Sequence, residues 1–365
     1  MKFNQRVLKK KLSIFEKVKS ENFHFISTGS KLKIYNDAQN ICAVIDSDAD
    51  FNFLMSGEEF KRFFSSLKGV SRILIFKPVE NKLEVEIQKE LKTGEIETES
   101  IAQYTISKTD KKELFIGPLS NPIDFSDFYS FVNLVASWSG KYSTVMPISN
   151  YVKISSEENL KLTFVNAVLL TQACYLMNSA IKTSFNVFSK DFEILKGLLK
   201  GSNDMEISFS IDNEGLLICS ESMEYYMKNV NEKCLDCDYF FDGFELMANS
   251  EEVNDFKFAM SKKDYSFKNQ KFEIHSFLEK DARANYLVLK NKKLVLEAFA
   301  NIKEKKYDTG YNYYFIKSVL NCFDDTEFST RCFLNGNLVL YIYNHNVCTA
   351  ILPSRFLGNG VENSD

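Results

Sequence analysis

The chain has 365 residues, more than the roughly 250–300 at which a single core stops growing, so two or three domains are expected. The formal charge is −4, which excludes a uniformly basic nucleic-acid binder but leaves room for local basic faces on an acidic body. No window approaches the ~20 apolar residues of a membrane span, and MKFNQRVLKKKL lacks the apolar stretch of a signal peptide, so a cytoplasmic protein without a membrane partner is expected.

Read in chain order, three marks recur. An amphipathic helix opens the chain over Asn4–Val18, with Val7, Leu8, Leu12, Ile14, Phe15 and Val18 on one face and Arg6, Lys9, Lys10, Ser13 and Lys17 on the other. An alternating strand follows at Lys31–Tyr35, then a Ser-capped helix at Ser56–Lys68 and a hairpin at Arg72–Ile87 turning at Glu80-Asn81. Lys111–Pro122, punctuated by Gly117, Pro118 and Pro122, reads as a linker. The series then repeats: helix Asp124–Ser139, strand Asn159–Phe164, helix Ser189–Lys200, and hairpin Met205–Ser220 turning at Asn213-Glu214-Gly215. A second linker falls at Asp236–Asn254. The third series is a helix near Lys263–Lys280, strand Lys292–Glu297, helix Tyr313–Phe323, and hairpin Glu327–Tyr343 turning at Asn335-Gly336. An apolar run, Val347–Leu357, then precedes a polar tail.

The spacings agree between marks. Leu32, Leu160 and Leu294 are 128 and 134 residues apart; Phe60, Phe192 and Phe315 are 132 and 123; Leu83, Leu216 and Leu338 are 133 and 122. A period of this kind predicts an α+β protein of three repeated domains, 1–117, 118–241 and 242–365, each with two helices packed on antiparallel sheets.

Little in the chain looks like an enzyme. Of eight cysteines only Cys234 and Cys237 form a CxxC pair, and the histidines, His24, His275 and His345, are far apart, so no metal site and no cofactor are expected. The thiols read as buried groups in a reducing compartment. Asp46, Asp48 and Asp50 alternate like part of a calcium loop but lack its glycine and terminal glutamate. No GxSxG, P-loop or GxGxxG occurs, and no nucleophile–base–acid set can be assembled.

What stands out is basic charge on the outer side of the helices: Arg6, Lys10 and Lys17 on the first, then Lys61 and Arg62, then Lys190, Lys196 and Lys200, then Lys317 beside Asn321. Each face taken singly is what a solvated helix shows. Recurrence in several repeats of an acidic chain points to sequence-independent contact with phosphates of duplex DNA. No aromatic residues interleave these cations, which disfavours single-strand binding.

Several stretches resemble the sliding-clamp family, the bacterial DNA polymerase III beta subunit. These are MKF followed by the amphipathic helix, NLKLTFVNAVLLTQA (Asn159–Ala173), SKDFEILKGLLKG (Ser189–Gly201) with its hairpin and CDYFFDG, and YNYYFIKSVLNCF with the closing TAILPSRFL. The resemblance implies a non-enzymatic replication processivity factor: half a ring per chain, closed as a head-to-tail homodimer around double-stranded DNA. It also implies a pocket for short linear peptides of the polymerase and clamp loader, here Val152, Val165, Leu169, Leu170, Ile351, Leu352, Pro353, Ser354, Arg355 and Phe356. The dimer contact it implies joins Tyr104 and Ile106, on an edge strand of the first domain, to Phe277 and Leu278, at the end of a helix in the third. The chain departs from the family where Thr-Asp-Gly-His-Arg-Leu is replaced by Val165, Asn166, Ala167, Val168, Leu169 and Leu170, and in a shorter loop at Lys19–Phe23. That drift fits a divergent, phage- or mobile-element-encoded clamp. The competing expectation is a β-rich repeat scaffold or phage adaptor that never encircles DNA.

Overall fold

The computed structural model describes residues 2–241 apart from 17, 39, 49, 92, 94, 112–118, 140–146, 167–168, 179–180, 201–203 and 233–236, and beyond them 278–281, 286–289, 309–322, 331–334, 339–344, 346–352 and 354–355. The strands pair antiparallel throughout the described sheets. The chain divides into two compact units, residues 1–122 with 197–228, and residues 123–196 with 229–365. Each unit therefore combines elements from more than one sequence repeat.

The first series runs β1 (Lys2–Asn4), α1 (Gln5–Leu12), β2 (Asn22–Ser27), β3 (Lys31–Asn36), β4 (Ile41–Asp46), β5 (Phe53–Ser56), α2 (Gly57–Ser66), β6 (Ile73–Val79), β7 (Lys82–Glu90) and β8 (Ile96–Thr105). The second repeats it element for element: β9 (Ile123–Asp124), α3 (Phe125–Trp138), β10 (Tyr151–Ser156), β11 (Asn159–Asn166), β12 (Leu169–Leu176), β13 (Thr183–Phe188), α4 (Ser189–Leu199), β14 (Glu206–Ile211), β15 (Gly215–Cys219) and β16 (Met223–Lys228). The described part of the third is β17 (Leu278–Asp281), β18 (Tyr286–Leu289), β19 (Thr309–Asn312), α5 (Tyr313–Cys322), β20 (Arg331–Leu334), β21 (Leu340–Asn344), β22 (Val347–Ile351) and β23 (Ser354–Arg355). From β19 to β22 it follows the order of β5 to β8.

In the first unit one sheet runs β5-β2-β3-β4-β16-β15-β14, and a second runs β1-β6-β7-β8. Four strands of the first series are thus completed by three of the second, with Ala43, Cys42 and Ile41 opposite Met223, Glu224 and Tyr225. In the second unit the sheet β13-β10-β11-β12-β22-β21-β20 repeats this plan, joined from Leu169 opposite Ile351 to Ala173 opposite Val347, beside a smaller sheet β17-β18-β19-β23.

Local chemistry sets the helices. The Asn4 side chain caps α1 by accepting from the amides of Arg6 (3.0 Å) and Val7 (3.2 Å). The α-helix ends at Leu12 rather than Val18, because Ser13, Ile14 and Phe15 tighten into a 3-10 turn and the Ser13 hydroxyl donates to the Lys10 carbonyl at 2.6 Å. Its inner face is Gln5, Leu8, Leu12 and Phe15. Val7, expected inside, is 49% exposed. Ser56 caps α2 through the Glu59 amide at 3.3 Å. Gly57 opens that helix so close to the backbone that a Cβ would lie 2.3 Å from the Ser20 carbonyl oxygen. Gly215, expected only as a turn residue, begins β15, where a Cβ would meet the Met227 carbonyl at 2.4 Å.

Phenylalanine fills both cores. Phe23 and Phe60 stack at 3.8 Å beneath α2, and Phe63 meets Phe76 and Tyr104 edge-on at 5.6 and 5.3 Å. In the second unit Phe131 of α3 meets Phe192 of α4 at 5.7 Å, and Trp138 meets Phe315 of α5 at 4.5 Å. The helix expected near Lys263–Lys280 lies mostly outside the described residues. Its last positions, Leu278–Lys280, belong to β17, where pairing with β18 overrides the local helical pattern. The strand Lys292–Glu297 and the turn Asn335-Gly336 also lie outside them.

Two predictions concern this framework. Lys33 on β3 and Glu224 on β16 form a buried ion pair at 2.7 Å, and the Tyr35 hydroxyl donates to the same carboxylate at 3.4 Å. Removing the cation alone (Lys33→Met) strands a buried carboxylate and should cost about 3 kcal/mol in urea unfolding, while the Lys33→Met/Glu224→Leu double variant recovers most of it. Gln5 is fully buried, and neither atom of its side-chain amide has a hydrogen-bond partner among the described residues. Gln5→Met should therefore stabilise, by about 1 kcal/mol, read as a higher unfolding midpoint.

Candidate functional site

The cations expected to face DNA lie on helices whose other side is core. On α1 Arg6 and Lys10 are exposed opposite Leu8 and Leu12. The helix carries no acid in its first turn, and Lys9, Lys10 and Lys11 crowd its last turn, where the helix dipole favours them. Lys17 lies outside the described residues. On α2 Lys61 points to solvent, whereas Arg62, though exposed, is drawn back onto its own unit. It donates to Glu59 Oε2 and to the Gln103 carbonyl, both at 2.6 Å, and sits 5.0 Å over the Tyr104 ring. On α4 Lys190 is exposed and Lys196 half-buried, interspersed with Asp191 and Glu193, and exposed Lys200 lies just past the end of the helix. Lys317 falls within α5, with its side chain outside the described residues.

The expected pocket residues separate by strand parity, since alternate residues of a strand face opposite sides. Val152, Leu169 and Ile351 are fully buried on the helix side of the sheet. There Tyr175 meets Phe128 of α3, and Asn166 donates to the Trp138 carbonyl at 2.9 Å. Val165, Leu170 and Leu352 lie on the opposite side, in one apolar cluster with Cys237, Phe241, Val339, Tyr341, Cys348 and Ala350. Half-buried Ile148 and Phe240 pack against it. Pro353 and Phe356 lie outside the described residues, as do the side chains of Ser354 and Arg355 on β23.

The residues that complete this outer surface come from a short turn after β16. Asp238–Phe240 form a single 3-10 turn, with Cys237 and Phe241 sunk into the cluster on either side. Asp238 lies against three strands. Lys153 of β10 pairs with it at 2.6 Å, and Thr163 of β11 and Gln172 of β12 donate to its other oxygen at 3.3 Å each. The Tyr341 hydroxyl donates to the Phe240 carbonyl at 2.8 Å. Burial pushes that phenol up to about 12, so it remains a donor through the physiological range. The sequence held a usable signal, the aromatic-rich CDYFFDG, whose Asp238 is held by a partner 85 residues away.

The residues expected at a dimer contact are placed differently from one another. β8 is an edge strand of its sheet among the described residues, but Tyr104 and Ile106 are buried, Tyr104 against Phe63 of α2 with its hydroxyl 2.9 Å from Ser66 Oγ. The outward side chains of the strand include Ile101, 58% exposed, and Ile96, 52% exposed. Leu278 opens the edge strand β17 instead of ending a helix, and Phe277 lies outside the described residues.

Chemistry at the buried thiols is suppressed. Burial pushes Cys219 and Cys322 up to about 12 and holds Cys42 and Cys348 well above the usual thiol range, so these groups stay neutral and act as packing. Among the described residues no three carboxylate, histidine or cysteine side chains gather as metal ligands.

No protein-family model and no curated protein matches the sequence. Solved structures do match in fold. The DNA polymerase III subunit beta of Pseudomonas aeruginosa is 13% identical over 97% of this chain and 99% of its own, with a TM-score of 0.55. A putative DNA polymerase III beta subunit from Eubacterium rectale is 11% identical over 97% and 98%, with a TM-score of 0.56. The beta subunit from Thermotoga maritima is 14% identical over 97% and 98%, with a TM-score of 0.52. Nearly the whole length of this chain therefore takes up the fold of the bacterial DNA polymerase III beta subunits, the sliding clamps.

Proposed function

We propose that this chain is a divergent DNA sliding clamp, a replication processivity factor of three domains, 1–117, 118–241 and 242–365, with no catalysis of its own. The observation that carries the reading is the likeness of fold over 97% of the chain to clamps that it covers almost completely. Two chains would close head to tail into a ring around double-stranded DNA. Enclosure supplies retention, and lysine–phosphate attraction supplies weak, sequence-independent contact that permits sliding. Arg6 and Lys10 on the acid-free α1 are the strongest of these contacts. Lys61, Lys190, Lys196, Lys200, Lys317 and Lys17 act with them, and Arg62 contributes least because its charge is already engaged.

Ring closure would use two strands that are sheet edges among the described residues, β8 of one chain and β17 of the next, joined by a backbone ladder. Tyr104 and Ile106 would support that edge from beneath, and Ile101 and Ile96 would cover it. Leu170, Val165 and Leu352 with the turn at 237–241 form the surface that would take short peptides of a polymerase and a clamp loader. The protein would act in the cytoplasm.

Two measurements test this. Sedimentation should give a dimer at micromolar concentration, which Ile101→Asp converts to monomer without loss of folded structure. On a nicked circular plasmid the loaded protein should co-elute with DNA through gel filtration and be lost when the plasmid is linearised. Lys10→Glu should weaken residual binding and lower the slope of log affinity against log salt by roughly one. A strict monomer that is never retained on circular DNA would leave the interaction-scaffold reading in its place.

A further inference from the structure

We propose that Glu59 and Arg62 of α2 set the register of the chain-to-chain ladder: they cap the inner half of β8, so that β17 of a second copy pairs with its outer half, Ile96–Ile101. This rests on the ring contact proposed above. Along β8 the backbone groups of alternate residues point toward β7 and away from it. Just past the strand the Ile106 amide donates to the Asn81 carbonyl at 2.9 Å, so Gln103, Thr105 and Ser107 are the residues whose backbone faces away. At each of the three a partner from the same chain is already in place. Arg62 donates to the Gln103 carbonyl at 2.6 Å, Glu59 Oε2 accepts from the Thr105 amide at 3.1 Å, and Ser107 exchanges two bonds with Leu54 of β5 at 2.8 and 2.9 Å. Glu59 and Arg62 also pair with one another at 2.6 Å, so each steadies the other on the edge. A strand arriving here would have to displace charge-assisted bonds, which are the strong ones.

The outer half is built differently. β7 and β8 are 9 and 10 residues long, against 5 and 6 for the matching hairpin β15–β16 of the second repeat. The surplus is the part its own chain does not bury: every residue from Glu95 to Ile101 is exposed, whichever side of the ribbon it lies on. Among the described residues no hydrogen bond reaches the outward backbone of Ile96–Ile101. A two-stranded ribbon with water on both faces is marginal by itself and gains from a third strand. The strand that fits is β17, four residues long and an edge of its own sheet among the described residues. Antiparallel pairing with Leu278 opposite Ile101 sets Lys280 opposite Glu99, which Arg72 holds in place at 2.9 Å, and Asp281 opposite Thr98. A shift of one residue in either direction sets Glu279 or Asp281 opposite Glu99, a like-charge pair that disfavours it.

Hydrogen exchange of the full-length wild type, read by mass spectrometry at micromolar concentration and after dilution to nanomolar, maps the ladder. Exchange across Ile96–Ile101 should be about ten-fold slower in the dimer, while Gln103–Thr105 should exchange alike at both concentrations because α2 already holds it. Glu59→Ala/Arg62→Ala should make Gln103–Thr105 depend on concentration as well, with circular dichroism unchanged. Thr98→Cys/Asp281→Cys should give a covalent dimer with a short bis-maleimide, whereas Thr105→Cys/Asp281→Cys should not. A wild-type dimer that protects Gln103–Thr105 in place of Ile96–Ile101, or protects neither, overturns this inference and leaves the clamp reading standing. Unchanged protection in Glu59→Ala/Arg62→Ala, or cross-linking of the second cysteine pair in preference to the first, does the same. A chain that stays monomeric and is not retained on circular DNA overturns both.

Discussion

The backbone ladder that joins one repeat to the next is the constraint on which the remaining structure depends. The strands β5-β2-β3-β4 would by themselves end in an open edge at β4, and β13-β10-β11-β12 would do so at β12. An open edge is a row of unpaired amides and carbonyls that invites pairing with other chains. In both units three strands of the following repeat close it. Side chains reinforce the backbone: Lys33 and Tyr35 reach Glu224 across β4 in the first unit, and the Thr171 and Thr349 hydroxyls meet at 3.1 Å in the second. Compact units and sequence repeats must then disagree, because the sheet of each unit takes three of its strands from the following repeat.

Much of the fold is legible locally, and the residues show why. Caps at Asn4 and Ser56, the apolar faces of α2 and α4, and the polar turn at Asp212–Gly215 all act within a few residues, and each lies where its local pattern put it. The seams are illegible because nothing in Ile41–Ala43 names Met223–Tyr225 as a partner. The same holds for single side chains. Gln5 is polar and sits in the core; Val7 is apolar and sits in water. In α1 the position on the helix, set by Leu8, Leu12 and Phe15, outweighs hydrophobicity at both sites.

For the candidate site, the alternation of the strands carries more information than their composition. Val165 and Leu170 lie on one side of the sheet, Val152, Leu169 and Ile351 on the other, so a contiguous apolar run cannot line a single pocket. The same parity turns Tyr104 and Ile106 inward while Gln103 and Thr105 point out. That alternation was present in the sequence. What it lacked was the knowledge of which side the helices would cover, a tertiary fact fixed by α2 and by α3.

A final regularity links the two units through their own registers. His24 is the third residue of β2 and lies opposite Tyr35, which faces Cys42. Lys153 is the third residue of β10 and lies opposite Thr163, which faces Gln172. These are the same place in the two sheets, and each side chain grips the segment that leaves its own repeat. His24 Nδ1 is 2.8 Å from Thr109 Oγ1, just beyond β8, and Lys153 pairs with Asp238, just beyond β16. Equivalent positions thus hold both outgoing segments, His24 between Thr109 and Asp37 in the first and Lys153 on Asp238 in the second. The ion-paired anchor belongs to the segment that bears exposed Tyr239 beside an apolar cluster. Under the proposed peptide-binding role, such a hold would limit the conformations the surface samples before its partner arrives.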